Sequence, residues 1–341
     1  MEKSRNYDVA LWLTHEIEDD CSLIIRTNHG QAFYCEISPS QFLRSPKILE
    51  QYFKCLNLLR SGEEEMGDYY LDDACEWLAK AFEPLIVQLA PPSLTLAGKD
   101  RPTLSQYLFP PHVVCALGAT DERLQPYRLC TQDHGWSSPI VLVGNDFLED
   151  LAQWTRLYDP SDVKICYDRP QDVLIKPPTR VLVDGDGNPV TCFFKRFELS
   201  FGPEHAKREL ITLKKIAVAQ ISPTPLICRI QGVVRDQSGL AGILFIWIDK
   251  KGVLSQARAA QSPPKLRRRW ATQISESLEK LHRHGIVWGD AKAENILIDR
   301  NDNAWIIDFG GSYTLGWVDK ERAGTFEGDL QGLTKIMDIL R

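Results

Sequence analysis

Two loops late in the chain hold the residues best suited to chemistry. The first lies in Ile286-Val-Trp-Gly-Asp-Ala-Lys-Ala-Glu-Asn-Ile-Leu-Ile-Asp299 and presents Asp290, Lys292 and Asn295. The second lies in Ala304-Trp-Ile-Ile-Asp-Phe-Gly310 and presents Asp308. Short apolar runs flank the polar turn Arg300-Asn-Asp-Asn303, so the segment reads as a hairpin with polar loops at its outer ends. A carboxylate and an amide carbonyl are hard oxygen ligands of the kind magnesium takes. A second carboxylate can orient an attacking hydroxyl and accept its proton, and a neighbouring lysine can steady a moving phosphoryl charge. These residue types suit phosphoryl transfer, which needs positioning and charge neutralisation more than covalent help.

The elements that must hold these loops can be read upstream. A long helix begins near Ser262, expected as N-cap, with Pro263 or Pro264 in its first turn. Its core face is Leu266, Trp270, Ile274, Leu278 and Leu281, and Gly285 ends it. Before it, Val173–Pro178 is expected to form a short strand and turn. Arg180–Asp184 and Val190–Phe197 form a hairpin about Gly185-Asp-Gly-Asn, and a helix runs from about Pro203 to Val218. Strands Leu226–Val234 and Leu240–Ile248 then turn at Asp236-Gln-Ser-Gly239.

Asp290-x-Lys-x-x-Asn295, followed across a hairpin by Asp308-Phe-Gly310, resembles the catalytic loop and DFG motif of the protein-kinase superfamily. The resemblance covers about residues 170–341 and implies an α+β, bilobal kinase-like fold. It puts an N-lobe at 165–250 and a truncated C-lobe at 251–341, preceded by an α/β region at 1–150 of unknown role. It implies ATP and Mg²⁺ as cofactors, with Asp290 and Lys292 catalytic and Asn295 and Asp308 holding the metal. Lys195 would meet the nucleotide phosphates with Glu209 as its ion-pair partner, although Glu204 and Lys207 lie close enough to compete for those assignments. Backbone near Trp247, Ile248 and Asp249 would meet adenine. Asp329 would hold the catalytic-loop backbone or, on its sequence alone, serve as an acidic first-turn residue. The chain is also similar to kinase-like proteins abundant in filamentous fungi.

Three departures from that pattern bear on function. Lys176-Pro-Pro-Thr179 stands where a glycine-rich loop is expected, and Gly185 and Gly187 lie in the wrong hairpin to replace it. Trp288-Gly289 replaces the His-Arg that precedes the aspartate, removing the arginine that pairs with a phosphorylated activation loop. No Ala-Pro-Glu occurs, and the chain stops within the helix containing Asp329, so the platform for a protein substrate is expected to be reduced. The acceptor is therefore open between a protein Ser/Thr and a small-molecule hydroxyl. The competing readings are a pseudokinase acting as a nucleotide-binding scaffold and another ATP chemistry such as nucleotidyl transfer.

The rest of the chain is quieter. With 341 residues, 43% of them hydrophobic, it can bury a normal core in more than one domain. A net charge of -6 gives no general field for nucleic acid, and the local run Lys265-Leu-Arg-Arg-Arg269 reads as a solvated helix turn. No apolar run reaches a membrane span, so neither nucleic acid nor membrane is expected as a partner. Nine scattered cysteines without a CxxC pair are expected to be reduced, in the cytoplasm or nucleus. Residues 7–36 read as one or two hairpins, and 46–60 and 70–90 as amphipathic helices, with prolines from Pro91 to Pro111 marking a loop-rich stretch. His15, His29, His112 and His134 are isolated and read as structural.

Overall fold

The computed structural model describes residues 6–67, 69–91, 101–130, 139–197, 200, 202–219, 221, 225–311 and 314–341. His134 and much of the proline-marked stretch, including Pro92, lie outside them. The chain divides into two compact units, Met1–Ser137 with Val163–Pro178, and Ser138–Asp162 with Thr179–Arg341.

The first unit starts with strands β1 (Tyr7–Thr14), β2 (Cys21–Thr27) and β3 (Ala32–Ile37). Helix α1 (Pro46–Ser61), the two-residue strands β4 (Glu65–Met66) and β5 (Tyr69–Tyr70), and helix α2 (Leu71–Leu89) follow. Next come α3 (Leu104–Leu108), β6 (His112–Thr120) and β7 (Arg123–Arg128). The main sheet runs β1-β2-β3-β6-β7, antiparallel except where β3 lies parallel to β6. Alternation along β2 buries Cys21, Leu23 and Ile25 on one face, which packs with Tyr52, Leu56, Leu78 and Phe82 of the two helices. Two long helices thus cover one sheet face, and Pro84 sits inside α2 without ending it.

The second unit contributes α4 (Asn145–Trp154) and β8 (Arg156–Tyr158) before the chain passes through β9 (Lys164–Cys166) of the first unit. It resumes with β10 (Arg180–Gly185), β11 (Asn188–Arg196), α5 (Gly202–Val218), β12 (Ile230–Arg235) and β13 (Leu240–Ile246). After these come β14 (Lys250–Val253), α6 (Gln256–Gln261), α7 (Pro264–Arg283), β15 (Ile296–Asp299), β16 (Ala304–Ile306) and α8 (Phe326–Leu340). Its larger sheet runs β8-β12-β13-β11-β10, with β8 parallel to β12, and β14-β15-β16 form a small antiparallel sheet. The mixed helix and strand content is that of an α+β protein.

A boundary at 150 does not match this division. Leu151 of α4 is buried in the second unit's core with Leu210 and Leu213, and β8 pairs with β12, so 138–162 belong with the later residues. Nor does the division fall at 250. Ile243, Leu254, Ile274, Trp288, Ile306 and Ile336 share one hydrophobic core.

Other local expectations shift for identifiable reasons. Val173–Pro178 is no strand. Ile175 and Lys176 both donate to the Asp172 carbonyl, at 3.1 and 3.0 Å, and Leu174 is left-handed at φ 57°. The prolines at 177 and 178 would also remove ladder donors. Leu226–Cys228 does not extend β12 because it pairs with β16. Ile306 N–H donates to Leu226 O at 2.8 Å and Cys228 N–H to Ile306 O at 2.9 Å. Ser262 does not cap α7; it closes α6, its N–H donating to Ala259 O at 3.0 Å, and Pro263 stands as N-cap of α7. β13 stops at Ile246, two residues short of the expected end.

Candidate active site

The strand β11 carries Lys195 directly opposite Ile243 of β13. The following helix α5 buries Ala206, Leu210 and Leu213, and Glu209 adjoins that stripe and is itself 1% exposed. Lys195 Nζ reaches Glu209 Oε1 at 2.7 Å and Asp308 Oδ1 at 2.5 Å. A strand, a helix and a loop far apart in sequence therefore meet at one ammonium. The two nearby candidates resolve cleanly, since Lys207 and Glu204 pair with each other at 2.7 Å on the exposed side of the helix. Burial disfavours charge on Lys195, but Glu209 and Asp308 outweigh it and hold the ammonium above its usual range. At Glu209 burial is the larger influence and raises the carboxyl, with Lys195 opposing it. The two shifts pull the pair in opposite directions. We take the lysine as charged, because two carboxyl oxygens lie within hydrogen-bond reach of it.

Asp308 is placed by its own backbone and by the glycine two residues further on. Its φ of 63° is left-handed, a conformation that Asp tolerates better than most side chains. Gly310 has φ 76°, and a Cβ there would lie 2.7 Å from Glu209 Cα. Glycine is required at that position on both counts, because the loop passes directly against α5.

The loop after α7 forms a second cluster. Asn295 donates its amide to the carbonyl and to Oδ2 of Asp290, both at 2.9 Å. Lys292 Nζ lies 2.7 Å from Asp290 Oδ2. Lys292 also donates to Thr314 Oγ1 at 2.9 Å, and that hydroxyl donates to Asp290 Oδ1 at 2.8 Å. The carboxylate of Asp290 thus has a partner on each oxygen. Thr314 was missed by the sequence reading because it lies on irregular chain with no motif or period.

Asp329, in the first turn of α8, is 2% exposed and sets the backbone of this loop. It accepts from Trp288 N–H at 2.7 Å and Gly289 N–H at 2.8 Å, and His282 Nε2 lies 2.8 Å from it. The hydrogen-bonding arrangement, rather than a first-turn charge alone, describes this residue. His282 was not singled out by sequence, and only its place on the last turn of α7 could have suggested it. Trp288 adds a second tie, its indole N–H donating to Ile307 O at 2.9 Å.

A cavity of about 330 Å³ opens beside Lys195, lined by Thr179, Phe193, Cys228, Phe245, Leu297 and Ile307 in addition to Lys195, Glu209 and Asp308. Its mainly apolar walls with a few convergent charges are the form of a small-ligand site. Trp247 and Ile248 line it, but Asp249 does not. Asp249 instead pairs with Arg300 at 3.2 Å, and its carbonyl accepts from the Arg300 N–H. Trp247 N–H is engaged by Thr191 O at 3.1 Å. Burial pushes the Cys228 thiol up to about 12, so this lining sulfur is an uncharged wall.

Magnesium can be tested against the donors present. Asn295 uses its amide N–H groups on Asp290, which leaves its carbonyl oxygen as a hard donor, and Asp308, on the loop after β16, supplies a partly exposed carboxylate. Among the described residues no cluster of three or more His, Cys, Asp or Glu side chains could hold a metal by itself. A magnesium carried in with phosphates needs only one or two protein oxygens.

A family model described as protein kinase domain matches residues 195–328. That span opens on Lys195, contains both loops and closes beside Asp329. The match to a protein kinase domain over residues 195–328, together with the serine/threonine kinases among the relatives, supports a protein-kinase-like superfamily member. The chain is 29% identical over 130 residues to the serine/threonine-protein kinase PKH1 of Saccharomyces cerevisiae, covering 36% of this chain and 16% of that protein. It is 35% identical over 110 residues to the serine/threonine-protein kinase SCH9 of the same organism, covering 29% and 12%. A probable serine/threonine-protein kinase KIN1 homolog of Enterocytozoon bieneusi is 45% identical over 87 residues, covering 26% and 13%. The matches span less than a fifth of these relatives' own lengths. No helix among the described residues is long and apolar enough to cross a membrane.

Proposed function

We propose that the kinase domain is catalytically active, binding ATP in the cavity beside Lys195 and moving its γ-phosphoryl group to a hydroxyl. The carrying observation is the meeting of Lys195 with both Glu209 and Asp308 at 2.7 and 2.5 Å. It joins the strand that would face the phosphates to the loop that would hold the metal. Lys195 would meet the α- and β-phosphates, and Asp308 and Asn295 would hold Mg²⁺, which supplies charge neutralisation at the phosphates. Asp290 would orient the acceptor hydroxyl and take its proton, and Lys292 would face the transferred group. Trp247 and Ile248 would bound the adenine. Under this reading the sheet around β11 and α5 is the N-lobe and the α7, α8 region the C-lobe.

The names of the relatives favour a Ser/Thr hydroxyl on a protein as the acceptor. The pseudokinase reading has less support, because Asp290, Lys292 and Asn295 are hydrogen-bonded into one cluster, an arrangement that nucleotide binding alone does not require.

Thermal unfolding with ATP, with and without Mg²⁺, tests the reading on wild type and on Asp308→Asn. Asparagine is chosen because it tolerates the left-handed backbone at 308. Ligand at a hundred times its Kd stabilises the folded state by about 2.7 kcal/mol. The expected result is a magnesium-dependent shift lost in the variant. No shift at millimolar ATP sinks the proposal. With γ-labelled ATP, label should pass to an acceptor; transfer from the α-position instead would indicate nucleotidyl chemistry.

A further inference from the structure

We infer that a second cavity, lined by Arg229, Trp247 and Trp305, is a binding site for a small aromatic carboxylate. The inference goes beyond the phosphotransfer reading and does not depend on it.

The second cavity has a volume of about 490 Å³, within the range of small-molecule sites. It lies against the cavity beside Lys195, and Cys228, Ile246, Trp247 and Ile248 are walls of both. Ile227 and Trp305 extend its apolar lining, and Ile246 keeps 44% of its surface exposed. An apolar ring entering here would cover that surface, and the two indoles offer faces and edges for ring contacts.

The charged groups on the lining decide what the ring must carry. They are Asp249, Asp299, Arg300 and Arg229. Asp299 is buried and fully answered: it accepts from the N–H groups of Asn301 and Asn303, the Asn303 amide and the Trp305 indole, at 2.8 to 3.0 Å. Arg300 and Asp249 pair with each other at 3.2 Å, and both side chains are exposed. Arg229 is the exception. It is half-buried, and Ile246 N–H fixes its carbonyl at 2.8 Å. Its guanidinium donates to one neutral acceptor, Ile221 O at 3.2 Å, and among the described residues no carboxylate pairs with it. A guanidinium has five N–H donors in a planar fork and keeps its charge in proteins. Burial works against that charge, and nothing on the lining compensates it.

An anion supplied by a ligand would meet this deficit. A carboxylate matches the fork with two parallel hydrogen bonds. A phosphate would bring a second negative charge close to Asp249 and Asp299, with one unpaired cation to receive it, so the singly charged group fits better. The remaining walls are apolar and aromatic, which places the ring of the ligand against Trp247 and Trp305.

The test titrates the full wild-type chain with 2-naphthoate, and with neutral 2-naphthamide as its control, by saturation-transfer NMR. For a probe of about a dozen non-hydrogen atoms, saturable binding with a Kd on the order of 1 mM is expected. The amide should bind about tenfold more weakly, because it cannot form the charge-assisted pair. Arg229→Met keeps much of the side-chain length without the charge and should lose the preference for the acid. Saturating Mg-ATP should leave naphthoate bound, since the carboxylate is held outside the cavity beside Lys195. Equal affinity for acid and amide, an undiminished preference in Arg229→Met, or displacement by Mg-ATP overturns the inference. So does the absence of saturable binding up to about 10 mM. The comparison of acid with amide needs no variant, so it decides the matter even where Arg229→Met folds poorly.

Discussion

Replacing Asp329 by alanine gives the sharpest stability test of how the catalytic loop is held. The carboxylate is buried and accepts from Trp288 N–H and Gly289 N–H at 2.7 and 2.8 Å, with His282 Nε2 at 2.8 Å. Truncation leaves two backbone donors and an imidazole nitrogen without their acceptor. An orphaned buried donor costs about 1–3 kcal/mol, so the two backbone groups alone give roughly 2–6 kcal/mol. Against this, burial raises the Asp329 carboxyl above its usual range despite the hydrogen bonds from Gly289, His282 and Trp288. Removing a partly disfavoured charge returns some of the loss. We expect a net destabilisation of about 2–4 kcal/mol, or a Tm lower by roughly 5–15 °C for a unit of this size. Urea unfolding should show a lower midpoint with an unchanged slope, the mark of altered stability at constant exposed surface. His282→Ala removes one partner and leaves both backbone bonds, so it should cost only about 1 kcal/mol. An Asp329→Ala protein within about 0.5 kcal/mol of wild type would refute the idea that this carboxylate holds the loop.

Three other outcomes follow from the same geometry. Lys195→Met leaves the buried Glu209 carboxylate without its cation and should lower stability by about 3 kcal/mol in urea; adding Glu209→Gln should recover part of that loss, as a double-mutant cycle would show. Burial acts to raise Asp299, but the N–H groups of Asn303 and Asn301 and the indole of Trp305 outweigh it and hold the carboxyl below its usual range. Its stabilisation is therefore complete above the unfolded aspartate value near ~4 and is lost as pH falls through the folded one, so the stability gap between wild type and Asp299→Asn should narrow on acidification below about pH 4. Gly332→Ala places a Cβ 2.2 Å from the Ala291 carbonyl oxygen, in a helix where alanine is otherwise favourable; calorimetry should show a loss of about 1–3 kcal/mol rather than a gain.

The parts of the site that sequence could show are those tied to regular elements or to tight loops of fixed spacing. Asp290, Lys292 and Asn295 share one loop between α7 and β15, and their mutual hydrogen bonds follow from that spacing. Glu209 could be chosen over Glu204 because it adjoins the apolar stripe of α5, and the structure buries it there. Thr314 and His282 were not legible, since their roles depend on where distant chain returns and not on any period around them. Asp249 shows the converse failure. Strand alternation cannot say where β13 leaves the sheet, and ending at Ile246 directs Asp249 toward Arg300 and away from the cavity. The fold was legible by element, helices α1, α2 and α5 lying close to their expected spans. Which unit each piece joins was hidden, because residues 163–178 and 138–162 are assigned by packing partners far away in sequence.

That interleaving has a practical consequence for dissecting the chain. β8 lies parallel to β12 with Gly232 opposite Arg156, and a Cβ at Gly232 would be 2.4 Å from the Tyr158 ring. A fragment beginning at Thr179 would keep the matched kinase segment and lose this neighbour. The backbone groups of Gly232, Val233 and Val234 would become an open strand edge, a template on which a second chain can pair. Such a fragment is expected to self-associate or precipitate, a behaviour easily misread as intrinsic insolubility of the catalytic domain. Fragments beginning before Ser138 retain the strand that guards this edge.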